Sequence, residues 1–322
     1  MLNRRALLVL AAAPFAASSA ARAQGGWPDR PIRLIVGFPA GGPTDFAARV
    51  LQDPLQQLWG QPIVIENRPG ASQNIAAEAV AKAAPDGYTL LLCTSNITTN
   101  PAVFARLPYD VERDFTPIVI VYSSPTVLFT GRGQPFRSVK DVVEAAKRSP
   151  GMAAATSGIA TSGHFATEMF MRAAGVELTH VPYRGASPAL QDVVGGRVPI
   201  TFSTLSGAIG LAREGLLRPL AIAAPRTAKA LPGVPTMAEA GFPGVEVGSG
   251  VGLVAPAGTP PGVIDTLHRA IADIIATPGF KERMAAIGVD TVGTTPQEYA
   301  RIIREEYAKW GKVVEAAGIK PE

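Results

Sequence analysis

Two segments of one design, more than a hundred residues apart, limit the folds open to this chain. In the first, the apolar run Ile32–Val36 leads into Gly41-Gly42, then Thr44 and Asp45, then a helical stripe. In the second, Ala153–Thr156 leads into the hydroxyl-rich loop Ser157 to His164 and another helical stripe. A short apolar run bounded by turn residues predicts a buried strand. A loop of small residues between a strand and a helix lets the first helical N–H groups approach a ligand closely. The helix dipole at that point favours an anion. One such cradle predicts a site. Two, one in each half, predict a cleft that holds a small anion by both ends.

The surrounding pattern extends this. The stripe Phe46, Val50, Leu51, Leu55 and Leu58 predicts a helix ended by Gly60, with a kink expected at Pro54. Ile63 to Ile65 and Tyr88 to Cys93 predict strands, with a short Ala-rich helix from Ile75 to Ala83 between them. The order β-α-β-α-β implies a parallel sheet with right-handed crossovers. Phe115 to Thr130 is extended in character, interrupted at Ser123-Ser124-Pro125, and is expected to make a first crossing between lobes. A helix at 139–148, strands at 153–156, 178–181, 198–202 and 220–223, and a helix at 165–174 follow. The Gly- and Pro-rich stretch 241–261, which holds Val251 to Ala255, is expected to return the chain. Three helices end it, the last from Pro296 to Ala317 with Tyr299, Ile302, Ile303, Tyr307, Trp310 and Val314 at helical spacing. The expected fold is therefore α/β, with one lobe from 24–125 plus 241–322 and a second from 126–240, the cleft lying between them.

Residues 1–23 stand apart. Arg4 and Arg5 precede an apolar stretch, and Ala21-Arg22-Ala23 has the form of a cleavage site, so a secretory leader cut near Ala23 is expected. Asn3 to Leu7 is a partial twin-arginine match, which leaves the export route open. The chain holds 30 Lys+Arg and 26 Asp+Glu; the leader carries three Arg and no acid, so the remainder nets +1. That balance gives no footing to nucleic-acid binding. Cys93 is alone, which excludes an intramolecular disulfide. The expected compartment is the periplasm.

No metalloprotease, nucleophile-elbow, redox-cysteine or dinucleotide motif occurs, and the three His (164, 180 and 268) lack paired metal-ligand spacing. No cofactor, metal or catalytic residue is expected. His268 is expected to be solvated and His180 to be structural. Gly-Gly before a helix can be a simple capped turn. The loop Ala40, Gly41, Gly42, Thr44 and Asp45 nevertheless lies at the carboxyl end of a strand, where open α/β sheets bind ligands. Thr94, Ser95 and Asn96 follow the third strand at the same edge. In the second half, Ser157, Thr161, Ser162, Gly163 and His164 offer hydroxyl, amide and imidazole donors. Tyr183 and the adjacent Arg184 end another strand, and Phe202 with Ser203 a further one, as an apolar wall with one hydroxyl.

At these residues the chain resembles the periplasmic solute-binding proteins of tripartite tricarboxylate transporters, often called Bug receptors. The resemblance covers almost all of the chain after the leader. It is carried by Trp27 to Val36, Phe38 to Asp45, Glu66-Asn-Arg-Pro-Gly70, Pro85 to Leu90, Leu107-Pro-Tyr-Asp110, Asp114 to Ile118, Val181 to Gly185, Leu231 to Thr236 and Ala255 to Pro260. It implies a type II periplasmic-binding fold, a small carboxylate as ligand, and ordered water helping to bridge that ligand to the first lobe. It extends the loop role to Phe38 and Pro39, and opposes Phe38–Asp45 to Ser157–His164. It implies a membrane permease as partner, and a monomer is expected. One departure is visible. The family often places an aromatic residue in the return crossing, where this chain has Gly248-Ser-Gly-Val-Gly252. The expected function is a non-enzymatic receptor. An exported enzyme acting on a small organic acid, and a ligand-sensing subunit, are the alternatives.

Overall fold

The computed structural model describes residues 26–317, so the leader and its cleavage site lie outside the described residues. The first lobe opens with β1 (Ile32–Val36), α1 (Pro43–Trp59), β2 (Ile63–Asn67), α2 (Asn74–Ala81) and β3 (Thr89–Thr94). β2, β1 and β3 are parallel neighbours, as the alternation of patterns requires. Helices cover both faces of this sheet. The face under α1 buries Leu34, Val36, Leu51 and Leu92, and the opposite face buries Ile35, Leu91 and Ile97. The helix α1 runs through Pro54 to Trp59. A short helix, α3 (Asn96–Val103), follows β3 and was not expected from its sequence. Its Asn, Thr and Pro residues are poor helix formers, and tertiary contacts hold it instead.

The lobes are joined by β4 (Phe115–Gly131), one 17-residue strand without the interruption expected at Ser123-Ser124-Pro125. Its first part pairs with β9 (Gly248–Pro256), through Pro125↔Gly248. Its second part pairs with β7 (Ile200–Thr204) and β8 (Leu217–Ala223). Pro125 therefore falls where the strand passes from one sheet to the other. A residue without an N–H costs least at such a boundary. Between these strands the second lobe carries α4 (Val139–Arg148), β5 (Met152–Thr156), α5 (Ser162–Ala174), β6 (Leu178–Pro182), α6 (Ala186–Val194) and α7 (Leu205–Arg213). β5 lies parallel between β6 and β7. The strand expected at 198–202 begins two residues later, after Pro199, which cannot donate to a ladder.

After β9 the chain adds α8 (Pro261–Ala276), α9 (Pro278–Ala286), a two-residue strand β10 (Asp290–Thr291) on β4, and α10 (Pro296–Ala317). The 242–247 stretch packs in the second lobe, with Phe242, Val245 and Val247 on the same core as Phe165 and Phe170. α10 crosses back over both lobes. Tyr299 and Ile303 join the first-lobe core, while Trp310 lies against Phe165 with ring centroids 4.5 Å apart. Among the described residues, no helix is long and apolar enough to cross a membrane.

Candidate functional site

The carboxyl ends of the strands meet at one cleft. Phe38 and Pro39 follow β1, Thr94 ends β3, Ser157 follows β5, Gly185 follows β6 and Thr204 ends β7; all of them line it. Its volume is about 540 Å³, counting the part open to solvent. Each of these strand ends leads into a helix, and the helix starts supply the rest of the wall: Gly42, Pro43 and Thr44 of α1, Asn96 of α3, Thr161 and Ser162 of α5, Gly185 to Pro188 of α6, and Thr204 before α7. Five helix N-termini thus converge on one space. Four of them, those of α1, α3, α6 and α7, have no side-chain cap. Only Thr161 caps its own helix, accepting from the His164 N–H at 3.4 Å. Among the described residues, no Lys, Arg, Asp or Glu lines the cleft. An anion held there is held by neutral dipoles and hydroxyls.

The jaws touch. The Thr99 hydroxyl in the first lobe donates to the Ala160 carbonyl in the second at 2.7 Å. Across the mouth, a Cβ on Gly185 would lie 3.1 Å from Pro39 Cδ, and Gly185 has φ +123°, so only glycine suits the position.

Of the residues expected at the site, Phe38, Pro39, Gly42, Thr44, Asn96, Ser157, Thr161 and Ser162 line the cleft, and the others are placed elsewhere. Ala40 and Gly41 do not line it; the Gly41 N–H donates to Asp45 at 2.9 Å. Asp45 is buried behind the loop, where it also accepts from Arg49 at 2.9 Å and Asn67 at 3.0 Å. Burial opposes its charge, but the Arg49, Gly41 and Asn67 donors override it and hold the carboxyl below its usual range. Asp45 therefore shapes the loop rather than facing a ligand. The Ser95 hydroxyl accepts from the Gly250 N–H at 2.8 Å and belongs to a recess beside the connecting strands. In the same stretch, a Cβ on Gly252 would sit 2.7 Å from the Tyr299 hydroxyl, so that position is closed to a side chain.

In the second lobe, a Cβ on Gly163 would lie 2.3 Å from the Phe202 carbonyl oxygen, so α5 rests directly on the β7 backbone. Phe202 is core, Ser203 is buried beside it, and Thr204 takes the wall position. The Tyr183 hydroxyl donates to Asp192 at 2.6 Å, which with burial raises its pKa. Neither Tyr183 nor Arg184 lines the cleft. The largest omission from the sequence reading is Gly185 to Pro188. It repeats the strand–glycine–helix design that singled out the other two loops, and that signal was present in the chain. Thr94, singled out with Ser95 and Asn96 at this edge, lines the cleft; Thr204 and Ser249 carry no such signal, because a lone hydroxyl at a strand end is common.

His164 is not in the cleft. Its ring stacks on His180 at 4.2 Å, with planes 8° apart, and its Nδ1 accepts from the Ala160 N–H at 3.2 Å. His180 Nε2 meets the Thr156 hydroxyl at 2.6 Å. Burial pushes His164 down to about 4, and burial with the neighbouring imidazole pushes His180 down to about 3. Both rings are thus neutral supports under the Ser157–Ser162 loop. The third histidine, His268, expected to be solvated, is half-buried, and its ring meets the Thr294 carbonyl at 3.1 Å.

These two depressed values have a consequence for stability. Above pH 6.5 both rings are neutral in the folded and the unfolded chain, and their contribution is fully present. As pH falls from 6.5, the unfolded chain takes up protons that the folded chain refuses, so stability drops until the folded values are passed. Urea unfolding at pH 7.5 and 5.0 is expected to show a loss of about 2 kcal/mol for each histidine. His180→Gln should lose about half as much over that interval. A wild-type stability unchanged between the two pH values would contradict the burial of this pair.

Residues 47–319 match the profile of the tripartite tricarboxylate transporter family receptor. The chain is 36% identical over 297 residues to protein BugT of Bordetella pertussis, covering 91% of each. The structure of Rpa4515 of R. palustris with adipate superposes with a TM-score of 0.89 at 36% identity, covering 92% of this chain and all of that one. MatC of Rhodopseudomonas palustris with bound malate gives a TM-score of 0.85 at 32% identity, covering 89% of this chain and all of that one. Together with a two-lobed α/β fold and a neutral cleft at the strand ends, these matches establish that the chain belongs to the tripartite tricarboxylate transporter receptor family.

Proposed function

We propose that this protein is a periplasmic receptor that captures a small carboxylate between its lobes and delivers it to the membrane permease of a tripartite transporter. The observation that carries this reading is the convergence of five helix N-termini on a cleft without a charged side chain. Such a site suits an acceptor-only group and stabilises its charge without a counter-ion. The adipate and malate bound by two relatives point to the same ligand class. The cleft residues take binding roles in this reading: Gly42 and Thr44 with Asn96 on one side, Ser157, Thr161 and Ser162 with the α6 start on the other. The two lobes, expected as 24–125 plus 241–322 and 126–240 but with 242–247 packed on the second lobe's core, close as jaws, and the closed pair docks on the permease as a monomer. Residues 1–23 direct export and are removed. An enzymatic reading rested on His164, whose ring is committed inside the second lobe.

The test is a thermal-shift panel on refolded residues 24–322 with malate, succinate, adipate, citrate and benzoate. Refolding removes carried-over ligand. An acid at a hundredfold excess over its Kd should stabilise the chain by about 3 kcal/mol. At least one acid is expected to shift the melt and to be recovered unconsumed. A panel without any shift contradicts the carboxylate reading, and consumption of a bound acid contradicts the receptor reading.

A further inference from the structure

The return crossing from the second lobe to the first is made by very few residues. Val247 is held by the second lobe: its N–H donates to the Ala223 carbonyl at 2.9 Å, and its side chain joins that lobe's core. Gly250 is held by the first lobe, through its N–H on the Ser95 hydroxyl at 2.8 Å. Between these two anchors lie Gly248 and Ser249. Glycine at 248 and 250 leaves the backbone free to turn. Lobes swing on such short stretches at the end of an element. Behind the strand, Gly248 and Gly250 open onto a recess of about 940 Å³, counting the part open to solvent. A Cβ on Gly250 would meet nothing closer than Ile120 Cγ2 at 3.8 Å, so the crossing is not wedged from that side.

One side chain stands in this crossing, and it faces the ligand space. Ser249 lines the cleft. Successive residues of a strand face opposite sides. Gly250 and its cross-strand partner Ser123 border the recess, so the Ser249 side chain points the other way, into the cleft. Ser249 is 8% exposed. Among the described residues its hydroxyl has no hydrogen-bond partner, yet its oxygen keeps accessible surface. Other hydroxyls of the cleft are committed within the protein: Thr94 to Asn96, Thr161 to Gly158, and Thr204 to Ser206. A nearly buried hydroxyl without a partner carries a desolvation cost that a bound acceptor relieves.

We propose that Ser249 is the ligand's contact on the hinge: its hydroxyl donates to a carboxylate oxygen of the bound acid and ties the ligand to the strand on which the lobes turn. The proposal rests on the carboxylate-receptor reading above. It deepens that reading by naming the residue through which occupancy reaches the hinge. Each helix N-terminus holds the ligand to one lobe or the other. Ser249 lies between the lobes, and the crossing takes its final setting only when they have closed. Loss of this bond should therefore speed release and leave capture unchanged.

The test uses residues 24–322 with Ser249→Ala, which removes one oxygen and no bond within the protein. Its ligand-free melt is expected to match wild type. Calorimetric titration with malate, adipate and the other panel acids should show Kd raised by about ten- to a hundredfold. Stopped-flow binding should place that loss in the dissociation rate, with association within about threefold of wild type. A Ser249→Ala variant that binds within about threefold of wild type overturns the proposal while leaving the receptor reading in place. A loss carried by slower association overturns the hinge role. Failure of the wild type to bind any acid overturns both readings. A crystal structure of the acid-bound wild type gives a second readout. A ligand oxygen is expected about 2.5–3.0 Å from Ser249 Oγ, and a ligand with every oxygen beyond about 4 Å overturns the proposal.

Discussion

Ser162→Glu is expected to abolish carboxylate binding while leaving the fold at least as stable. Ser162 is the first residue of α5 and lines the cleft. A carboxylate at a helix N-terminus is favoured by the dipole, by about 0.3–1 kcal/mol. The same carboxylate occupies the field that the ligand would use. Two like charges about 5 Å apart, at an effective dielectric near 20, repel by about 3 kcal/mol, a loss of roughly two hundredfold in affinity. Ser162→Gln, of similar size and neutral, should stay within about tenfold of wild type. Melting curves and calorimetric titrations on both variants check this. Undiminished binding in the Glu variant would mean that the ligand charge lies away from α5.

Asp45→Ala is expected to fail in the opposite way, through the fold first and the ligand second. The Asp45 side chain is 3% exposed and organises three partners: Arg49, the Gly41 N–H and Asn67. Its removal leaves the Gly41 N–H and the Asn67 amide without their acceptor and Arg49 without its counter-ion. Breaking such a part-buried network costs about 3 kcal/mol. The loop from Phe38 to Thr44 would lose its fixed shape, and with it part of the first jaw. Urea unfolding should show the stability loss, and titration of the folded variant should show affinity reduced by about tenfold. Asp45→Asn, which can still accept from Gly41, should fall between. A stability equal to wild type in the Ala variant would contradict the scaffold role given to Asp45.

Much of this was visible in the chain before its structure. The order of strand and helix patterns predicted the parallel β2-β1-β3 sheet, because apolar runs covered by helices on both faces must be buried throughout. Loops after β1 and β5 were legible as cleft walls, since glycines and hydroxyls between the carboxyl end of a strand and a helix lie where open α/β sheets bind ligands. The individual roles were less legible. His164 stands in a loop rich in donors, yet it faces inward, because a helix turn carries the side chain three residues after its cap to the core side. Asp45 looked like a ligand neighbour but is spoken for by Arg49, one helical turn along.

The most direct test of the account compares a diacid with its own diamide by calorimetry on residues 24–322, with adipate and adipamide as the pair. Their chain length and shape are the same, and only the charge and the terminal donor differ. A cleft built from helix N-termini and neutral donors should bind the diacid at least a hundredfold more tightly than the diamide. Equal affinities would contradict it, because they would show that the cleft recognises the carbon chain and not the anion.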